Sequence, residues 1–403
     1  MKIKLLTASL FITAFVNAQN VWTQKANLTG AARHFAVAFS IGTKGYLGTG
    51  LSYGPPVTLH KDFWEYNPVT DVWTQKADFG GNPKDLAVGF SIGTKGYIGT
   101  GYESTTVVAT NDFWEYNQGN NTWTAKANFG GAPRKYATGF SVGNKGYIGL
   151  GNAATGVKKD FWEFNPANNT WTQKANYAGN IRTYAVGFGI GTKGYIGTGV
   201  DSAYVESNQF WQYNPANDTW TQKANFGGVP RYNAVGFSTS NSGFIGTGQY
   251  NFGTTQDFWE YNPTTDVWTQ RTNFGGGLIW AATGFAISNK CYIGTGLVSA
   301  LDYQGFWEYS TLSGLESTKN DFAIDIFPNP VTSSFTLSLP PGLSSDIKVE
   351  LYNLSGEKLQ MLQKFKEDNM NELMFDVSIL PSGIYYLKVE AKEGSSVRKF
   401  VKF

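Results

Sequence analysis

A string close to Trp-Thr-Gln-Lys-Ala begins at Trp22, Trp73, Trp123, Trp171, Trp220 and Trp268, in steps of 51, 50, 48, 49 and 48 residues. A second string, close to Phe-Trp-Glu-Tyr, begins at Phe63, Phe113, Phe161, Phe210, Phe258 and Phe306. A third, close to Lys-Gly-Tyr-Ile-Gly-Thr-Gly, begins at Lys44, Lys95, Lys145, Lys193, Ser242 and Lys290. No other feature constrains the fold as much. A chain that repeats one unit of about 50 residues must stack copies of one supersecondary motif.

Each unit reads as four short strands. In the second unit these are residues 87–92, 97–100 and 112–116, with a tight turn at Gly93-Thr94-Lys95-Gly96 and a loop of variable length before the third strand. The fourth strand, residues 72–76 in the first unit, follows an Asn-Pro-x-x-Asp turn at residues 67–71. Apolar and polar positions roughly alternate, and no segment sustains a helical period. One four-stranded sheet cannot hide both of its faces. Radial stacking buries each sheet against its neighbours, and each fully buried large apolar side chain is worth about 1.5–3 kcal/mol. The expected fold class is therefore all-β, a six-bladed β-propeller.

The phase of the repeat predicts how the ring closes. A fourth-strand string at 21–26 precedes every first strand, and the last unit, 282–309, has three strands and no fourth. The N-terminal strand is expected to complete the sixth blade and remove the exposed edges.

The residues then carry a resemblance. An Arg opens the first strand, a Gly ends the second, Asp62-Phe63-Trp64-Glu65-Tyr66-Asn67-Pro68 forms the third, and a Trp follows. Recurring six times over about residues 21–309, this pattern resembles the kelch, or galactose-oxidase-like, propeller. Gly48-Thr49-Gly50, or Gly149-Leu150-Gly151 in the third unit, stands where kelch repeats carry adjacent glycines.

The ends of the chain read differently. Lys2 and Lys4, an apolar run over residues 5–16 and Val16-Asn17-Ala18 have the form of a secretory signal peptide, residues 1–18. The propeller is expected over 19–310, and a polar linker over 311–321. Residues 322–403 lack Trp and the repeat, and alternate as short strands at 324–327, 334–339, 347–352, 372–376, 384–390 and 398–402, which suggests a small C-terminal β-sandwich. This segment resembles the type A C-terminal sorting domain of the type IX secretion system. The resemblance rests on Phe327-Pro328-Asn329-Pro330, Leu351-Tyr352-Asn353-Leu354-Ser355-Gly356-Glu357-Lys358, Leu380-Pro381-Ser382-Gly383-Ile384-Tyr385-Tyr386-Leu387 and Lys399-Phe400-Val401-Lys402. It implies type IX secretion machinery as a partner, with Pro328, Asn329, Pro330, Gly356 and Gly383 in its sorting motifs. It also implies an extracellular or outer-membrane-surface location in a Bacteroidota-type bacterium.

Composition narrows the chemistry. Without Lys2 and Lys4 the chain has 30 basic and 30 acidic residues, so no net field attracts nucleic acid. No other run is long and apolar enough for a membrane span. One Cys and two His leave no disulfide framework or histidine metal cage, and no cofactor or metal is expected. Copper oxidation of galactose-oxidase type needs a Cys–Tyr crosslink and two His at the metal. His34 and His60 share one unit, whereas Cys291 replaces a turn glycine on the opposite face and reads as a small buried residue. Glu65, Glu115, Glu163, Glu260 and Glu308 recur at one third-strand position, and a feature stamped into nearly every unit reads as structural.

The units differ on one face, formed by the fourth-to-first and second-to-third connections. There the first strands open on Arg33, Lys84, Arg134, Arg182, Arg231 and Ile279, followed by His34, Asp85, Lys135, Thr183, Tyr232 and Trp280. Loops add Tyr53, Tyr102, Tyr204, Tyr250, Phe252 and Tyr303. Two readings of the basic ring stand. It pairs with ligand carboxylates, or it hydrogen-bonds neighbouring backbone. Trp280 and the loop tyrosines read as a contact surface for a glycan or a protein. The expectation is a non-catalytic binding module. The alternatives are a carbohydrate-active, sialate-mutarotase-like propeller enzyme, for which His34 and Asp85 are the nearby acid–base candidates, or a structural surface-layer component.

Overall fold

The computed structural model describes residues 21–103, 108–310, 322, 324–340, 347–353, 359, 364–366, 372–392 and 394–403. The expected signal peptide, the linker at 311–321 and Gly356 lie outside the described residues. Residues 21–310 form one compact unit and the tail belongs to another. No helix among the described residues is long and apolar enough to cross a membrane.

The first unit is a six-bladed propeller of four-stranded antiparallel sheets. Blade 1 runs Val37–Ile41, Lys44–Gly48, Phe63–Asn67 and Val72–Lys76. Blades 2 to 5 repeat this order, starting at Val88, Thr138, Val186 and Val235. Blade 6 takes Thr283–Ile287, Lys290–Gly294 and Phe306–Ser310, and its fourth strand is Val21–Lys25. The two ends of the repeat pair from Val21 with Ser310 to Lys25 with Phe306, as the phase of the strings predicts. The first turn is tighter than the sequence suggests. Ile92 pairs with Lys95, so only Gly93 and Thr94 form it, with Gly93 at φ 58°.

The repeated strings act between blades. Each fourth-strand indole donates from Nε1 to a carbonyl at the end of the preceding blade. Trp73 reaches Ala26 (3.0 Å), Trp123 Ala77, Trp171 Ala127, Trp220 Ala175 and Trp268 Ala224, while Trp22 reaches Thr272 (3.1 Å) and completes the circle. The third-strand Phe packs edge-on against the Trp of the next blade, as in Phe63–Trp123 at 5.0 Å. Four of the five repeated glutamates are held in the same way. Glu65, Glu115, Glu163 and Glu308 accept from the second-strand tyrosine hydroxyls at 2.6–2.9 Å, and Glu260 pairs with Arg271.

A second circle, of backbone bonds, links the blades at the variable face. The glycine after each second strand donates its N–H to the residue opening the next first strand. These are Gly50 to Lys84 (2.8 Å), Gly101 to Arg134, Gly151 to Arg182, Gly199 to Arg231, Gly248 to Ile279 and Gly296 to Arg33 (2.7 Å). All six glycines have φ between 81° and 107°. Only glycine takes that conformation without strain, and a Cβ on Gly101 would lie 2.6 Å from the Asp85 carbonyl oxygen. The residue before each is also left-handed (Thr49, Thr100, Leu150, Thr198, Thr247 and Thr295), a conformation that a β-branched side chain disfavours.

The tail is a β-sandwich. One sheet orders Asp325–Phe327, Ser334–Ser338, Glu372–Asp376 and Lys364–Lys366. The other orders Lys348–Asn353, Gly383–Ala391 and Gly394–Lys402. Lys364–Lys366 is a strand the sequence reading lacks, and the last two strands run longer than expected. Phe335 and Phe375 of one sheet meet Leu351, Leu387 and Phe400 of the other in one core. The residues expected to carry sorting have visible structural work. Asn329 donates from Nδ2 to the Lys399 carbonyl and accepts from Val401 N–H at 3.0 Å, tying the Pro328–Pro330 segment to the last strand. Tyr385 donates its hydroxyl to the Pro381 carbonyl at 2.7 Å, and Gly383 opens that strand.

Trp22 is expected to matter as much as any internal blade tryptophan. Trp22→Ala should lower the unfolding free energy by about 3–5 kcal/mol in denaturant melts. Removal of residues 1–29 should produce aggregation through the bared Phe306–Ser310 edge. An unchanged melt and a monomeric truncated chain would refute closure by this strand.

Candidate functional site

The variable face is assembled from the blade entrances. His34, Asp85, Thr183, Tyr232 and Trp280 each bridge to the residue after the conserved-position glycine of their own blade, and Lys135 does so within a small three-stranded sheet. Short hairpins such as Leu51–Ser52 with Thr58–Leu59, and Leu297–Val298 with Leu301–Asp302, stand above them. The fourth-to-first and second-to-third connections thus meet on one face.

The basic ring is not on offer to a ligand. Arg33, Lys84, Arg134 and Arg231 are 0% exposed and Arg182 is 1% exposed. Arg33 forks onto Asp62 at 2.6 and 2.7 Å and donates from NH1 to the Thr49 carbonyl. Arg134 and Asp160, and Arg231 and Asp257, repeat the arrangement. Burial disfavours the ionised form of Asp62, but the Arg33 fork and the Trp64 indole outweigh it and hold the carboxyl below its usual value. Arg182 meets Gln209 instead. The ligand-facing reading of these five residues is therefore corrected. Each cation is neutralised or capped within its own blade, and it clamps the third strand to the second-strand end.

Blade 6 shows what happens without the clamp. Ile279 stands in the Arg position and Gly305 in the Asp position. Tyr303 takes up the space, because a Cβ on Gly305 would lie 2.1 Å from its ring. Its hydroxyl accepts the Trp307 indole N–H at 2.9 Å, as Asp62 does for Trp64. Tyr303 is thus part of the blade's interior and leaves the binding-face set.

The central mouth is formed by residues one step further along than the sequence reading placed them. Phe35, Leu86, Tyr136, Tyr184, Asn233 and Ala281 surround a cavity of about 170 Å³, floored by an alanine from every blade. All six have φ between 51° and 57°. A bulky side chain is rare in this conformation and costs on the order of 1 kcal/mol. The backbone gains a link in return: Phe35 N–H donates to Ala281, Leu86 to Phe35, Tyr136 to Leu86 and Ala281 to Asn233, at 3.0–3.4 Å. Below lies a channel of about 200 Å³ lined by Ala, Val, Thr and Gly of the first strands. Small residues are required there, since a Cβ on Gly89 would lie 1.9 Å from Val37.

Aromatic rings cross the mouth in an arc. Trp280 contacts Phe35 at 6.2 Å, Phe35 contacts Tyr136 at 6.3 Å, Tyr136 contacts Tyr184 at 3.8 Å, and Tyr184 contacts Tyr232 at 5.9 Å. Trp280 and Tyr232 are half-buried, so both are partly open to solvent. Lys135 lies over Tyr102 at 4.5 Å and over Tyr136 at 5.4 Å. Tyr204 (68% exposed), Tyr250 and Phe252 (94% exposed) project from the loops of blades 4 and 5, which Glu206 joins by accepting Asn251 N–H.

Beside the arc is a polar latch between blades 1 and 6. Asp302 accepts from His34 Nδ1 at 2.7 Å and from the Tyr53 N–H at 2.6 Å, and the Tyr53 ring covers His34 at 4.3 Å. A carboxylate can only accept, so the His34 proton sits on Nδ1 and Nε2 carries the lone pair. His34 is fully buried. Burial pulls its pKa below the ordinary value against the pull of Asp302. Ser52 donates to the Ala32 carbonyl, so His60 Nε2 donates to Ser52. Asp85 is 5% exposed, and burial pushes its carboxyl up to about 7, with Lys135 opposing. Neither His34 Nε2 nor Asp85 Oδ1 has a hydrogen-bond partner among the described residues. Cys291 is fully buried with its thiol pushed up by burial, in keeping with a packing role.

Comparison with known proteins bears on both units. Residues 325–402 match the secretion system C-terminal sorting domain family, so the tail is a type IX sorting domain that marks its cargo for export. Among solved structures, the one titled "Structure of YjhT" has a TM-score of 0.58 and 13% identity, over 70% of this chain and 94% of that one. At that identity the likeness establishes the propeller fold alone. No curated protein matches the chain.

The raised Asp85 carboxyl has a consequence for stability. The folded state holds this proton up to about pH 7, whereas the unfolded chain releases it near the ordinary carboxylate value. Folding therefore loses stability at this site as pH rises through that window. Asp85→Asn should change stability little at pH 4 and raise it at pH 8, by on the order of a few kcal/mol relative to the native chain. Parallel thermal melts at the two pH values check this. An offset independent of pH would contradict the assignment.

Proposed function

We propose that the propeller is a non-catalytic binding module of an exported protein, and that its variable face recognises an uncharged saccharide chain. The observation that carries this reading is the sealing of the basic ring. With Arg33, Arg134 and Arg231 already forked onto their own carboxylates, the described residues of the face keep no exposed guanidinium to pair with a ligand carboxylate or sulfate, and the Lys135 ammonium beside the arc lies over the Tyr102 and Tyr136 rings. What it presents is a row of ring faces, Trp280, Phe35, Tyr136, Tyr184 and Tyr232, around a shallow cavity edged by the Asn233 amide. Aromatic faces stack on the apolar faces of sugar rings, and the neutral amide suits hydroxyl groups. The sorting tail supports delivery of this face to the cell exterior.

One observation favours a second reading, a carbohydrate-active enzyme. His34 Nε2 has a lone pair and Asp85 retains a proton near neutrality, which are the states a general base and a general acid need. Against it, His34 is covered by Tyr53 and is fully buried. Anomer-exchange NMR on purified protein separates the two readings: conversion that Asp85→Asn abolishes would replace the binding module by an enzyme.

The binding reading is tested by a glycan array followed by calorimetry. Trp280→Ala with Tyr184→Ala should weaken the best neutral glycan at least tenfold, about 1.4 kcal/mol, with little dependence on salt. Preference for sulfated or uronic glycans, or affinity that survives the double substitution, would overturn it.

A further inference from the structure

Blade 2 differs from its neighbours in a way that builds a second pocket. In blades 1, 3 and 5 the third-strand Asp accepts on Oδ2 from both the guanidinium NH2 and the tryptophan indole, at 2.7 and 2.7 Å for Asp62, 2.7 and 2.8 Å for Asp160, and 2.7 and 2.7 Å for Asp257. In blade 2 a lysine replaces the arginine. Asp112 Oδ2 accepts the Trp114 indole at 2.9 Å, while Lys84 donates to Oδ1. The lysine has no second prong. A Cβ on Gly131 would meet Arg134 NH2 at 2.7 Å, and one on Gly228 would meet Arg231 NH2 at 2.8 Å, but the equivalent Gly81 has Phe79 and Asp112 as its nearest neighbours. The region the guanidinium arm occupies elsewhere adjoins a cavity of about 450 Å³ here, lined by Gly81, Asn82, Glu103, Thr110, Asp112 and Trp114 among others.

Glu103 adds charge to this pocket. It follows Tyr102, where the other blades have Ser52, Ala153, Asp201, Tyr250 and Val298. It is 7% exposed. The three Lys84 protons are matched by Asp112 Oδ1, Thr110 Oγ1 (3.0 Å) and the Thr100 carbonyl (3.3 Å). Glu103 Oε1 is 3.5 Å from that nitrogen, and its Oε2 accepts from Asn82 Nδ2 at 3.1 Å. A carboxylate buried to this degree is costly unless compensated by charge and hydrogen bonds. Two carboxylates against one ammonium leave the pocket one negative charge in excess.

We infer that this pocket of blade 2 binds the guanidinium end group of a small ligand. The group reproduces from outside the second prong that arginine supplies from inside in blades 1, 3 and 5. Its planar N–H donors reach Asp112 Oδ2 and the Glu103 carboxylate, and the Trp114 ring flanks the cation. The inference is independent of the saccharide reading of the mouth.

The test is a calorimetric and NMR titration of the full chain with methylguanidinium chloride at millimolar concentration, with urea as the uncharged analogue. Saturable binding of methylguanidinium and none of urea is expected. Lys84→Arg supplies the prong internally. It should abolish binding while leaving the melting temperature equal or higher, which excludes misfolding as the cause. Glu103→Gln should weaken binding at least tenfold, and Trp280→Ala with Tyr184→Ala should leave it unchanged. Absence of saturable binding, equal binding of urea, or binding that survives Lys84→Arg would overturn the inference.

Discussion

The propeller depends on a hydrogen bond between neighbours, repeated until it meets its own start. Each blade hands a glycine N–H to the carbonyl that opens the next blade, and the sixth hands Gly296 N–H back to Arg33. The Trp indoles make a matching circle between blades, from Trp73 to Ala26 round to Trp22 and Thr272. A single bond of this kind contributes only about 1 kcal/mol net. Closure makes them cooperative, since opening one seam bares two sheet faces and a strand edge. This is why the sixth blade is assembled from both ends of the repeat. The same seam carries the polar latch in which Asp302 of blade 6 holds His34 and Tyr53 of blade 1.

With both circles in place, one face is constrained and the other is open to variation. The uniform turns carry Asp71, Asn121, Asn169, Asp218 and Asp266, each accepting the N–H of an alanine in the preceding blade. The opposite face needs a carbonyl from each entrance residue and a left-handed backbone at the next-but-one position. The side chains there are otherwise unconstrained, and that freedom produced an aromatic arc on one side of the mouth and Asn233 and Ala281 on the other. Exceptions to the repeat are therefore the informative places. Ile279 with Gly305, Arg182 with Gln209, and Lys84 with Glu103 are three departures from one Arg–Asp clamp.

Most of the architecture was legible in the residues because it is stamped six times. The strings located the strands to within a few residues, their phase predicted the shared blade, and the recurrence of the glutamates in five of six units identified them as structural. The fate of the basic ring was harder to read. Its Asp partners stand 26–29 residues downstream of Arg33, Lys84, Arg134 and Arg231, immediately before the third-strand Phe. The loss of both members together in blade 6 was the available signal. The residues around the central mouth were not legible, because Phe35, Leu86, Tyr136 and Tyr184 are of types that disfavour the left-handed backbone they adopt there. At Phe35, Leu86, Tyr136 and Ala281 that conformation is rewarded by a bond to a carbonyl of the preceding blade, which is distant in sequence. In the tail, the Lys364–Lys366 strand spans only three residues, too few for its alternation to register as a strand.

The central claim is that the closing junction, where Val21–Lys25 pairs with Phe306–Ser310 without a covalent link, holds blades 6 and 1 together as firmly as the other five pairs of neighbours are held. Native-state hydrogen exchange at the amides of Gly50, Gly101, Gly151, Gly199, Gly248 and Gly296 measures this directly, since each reports one inter-blade bond. The account predicts that Gly296 is protected to within about tenfold of the other five, all of them opening with the whole ring. Exchange at Gly296 faster by several orders of magnitude, with the other five still protected, would show a ring that opens at its seam and would contradict the account.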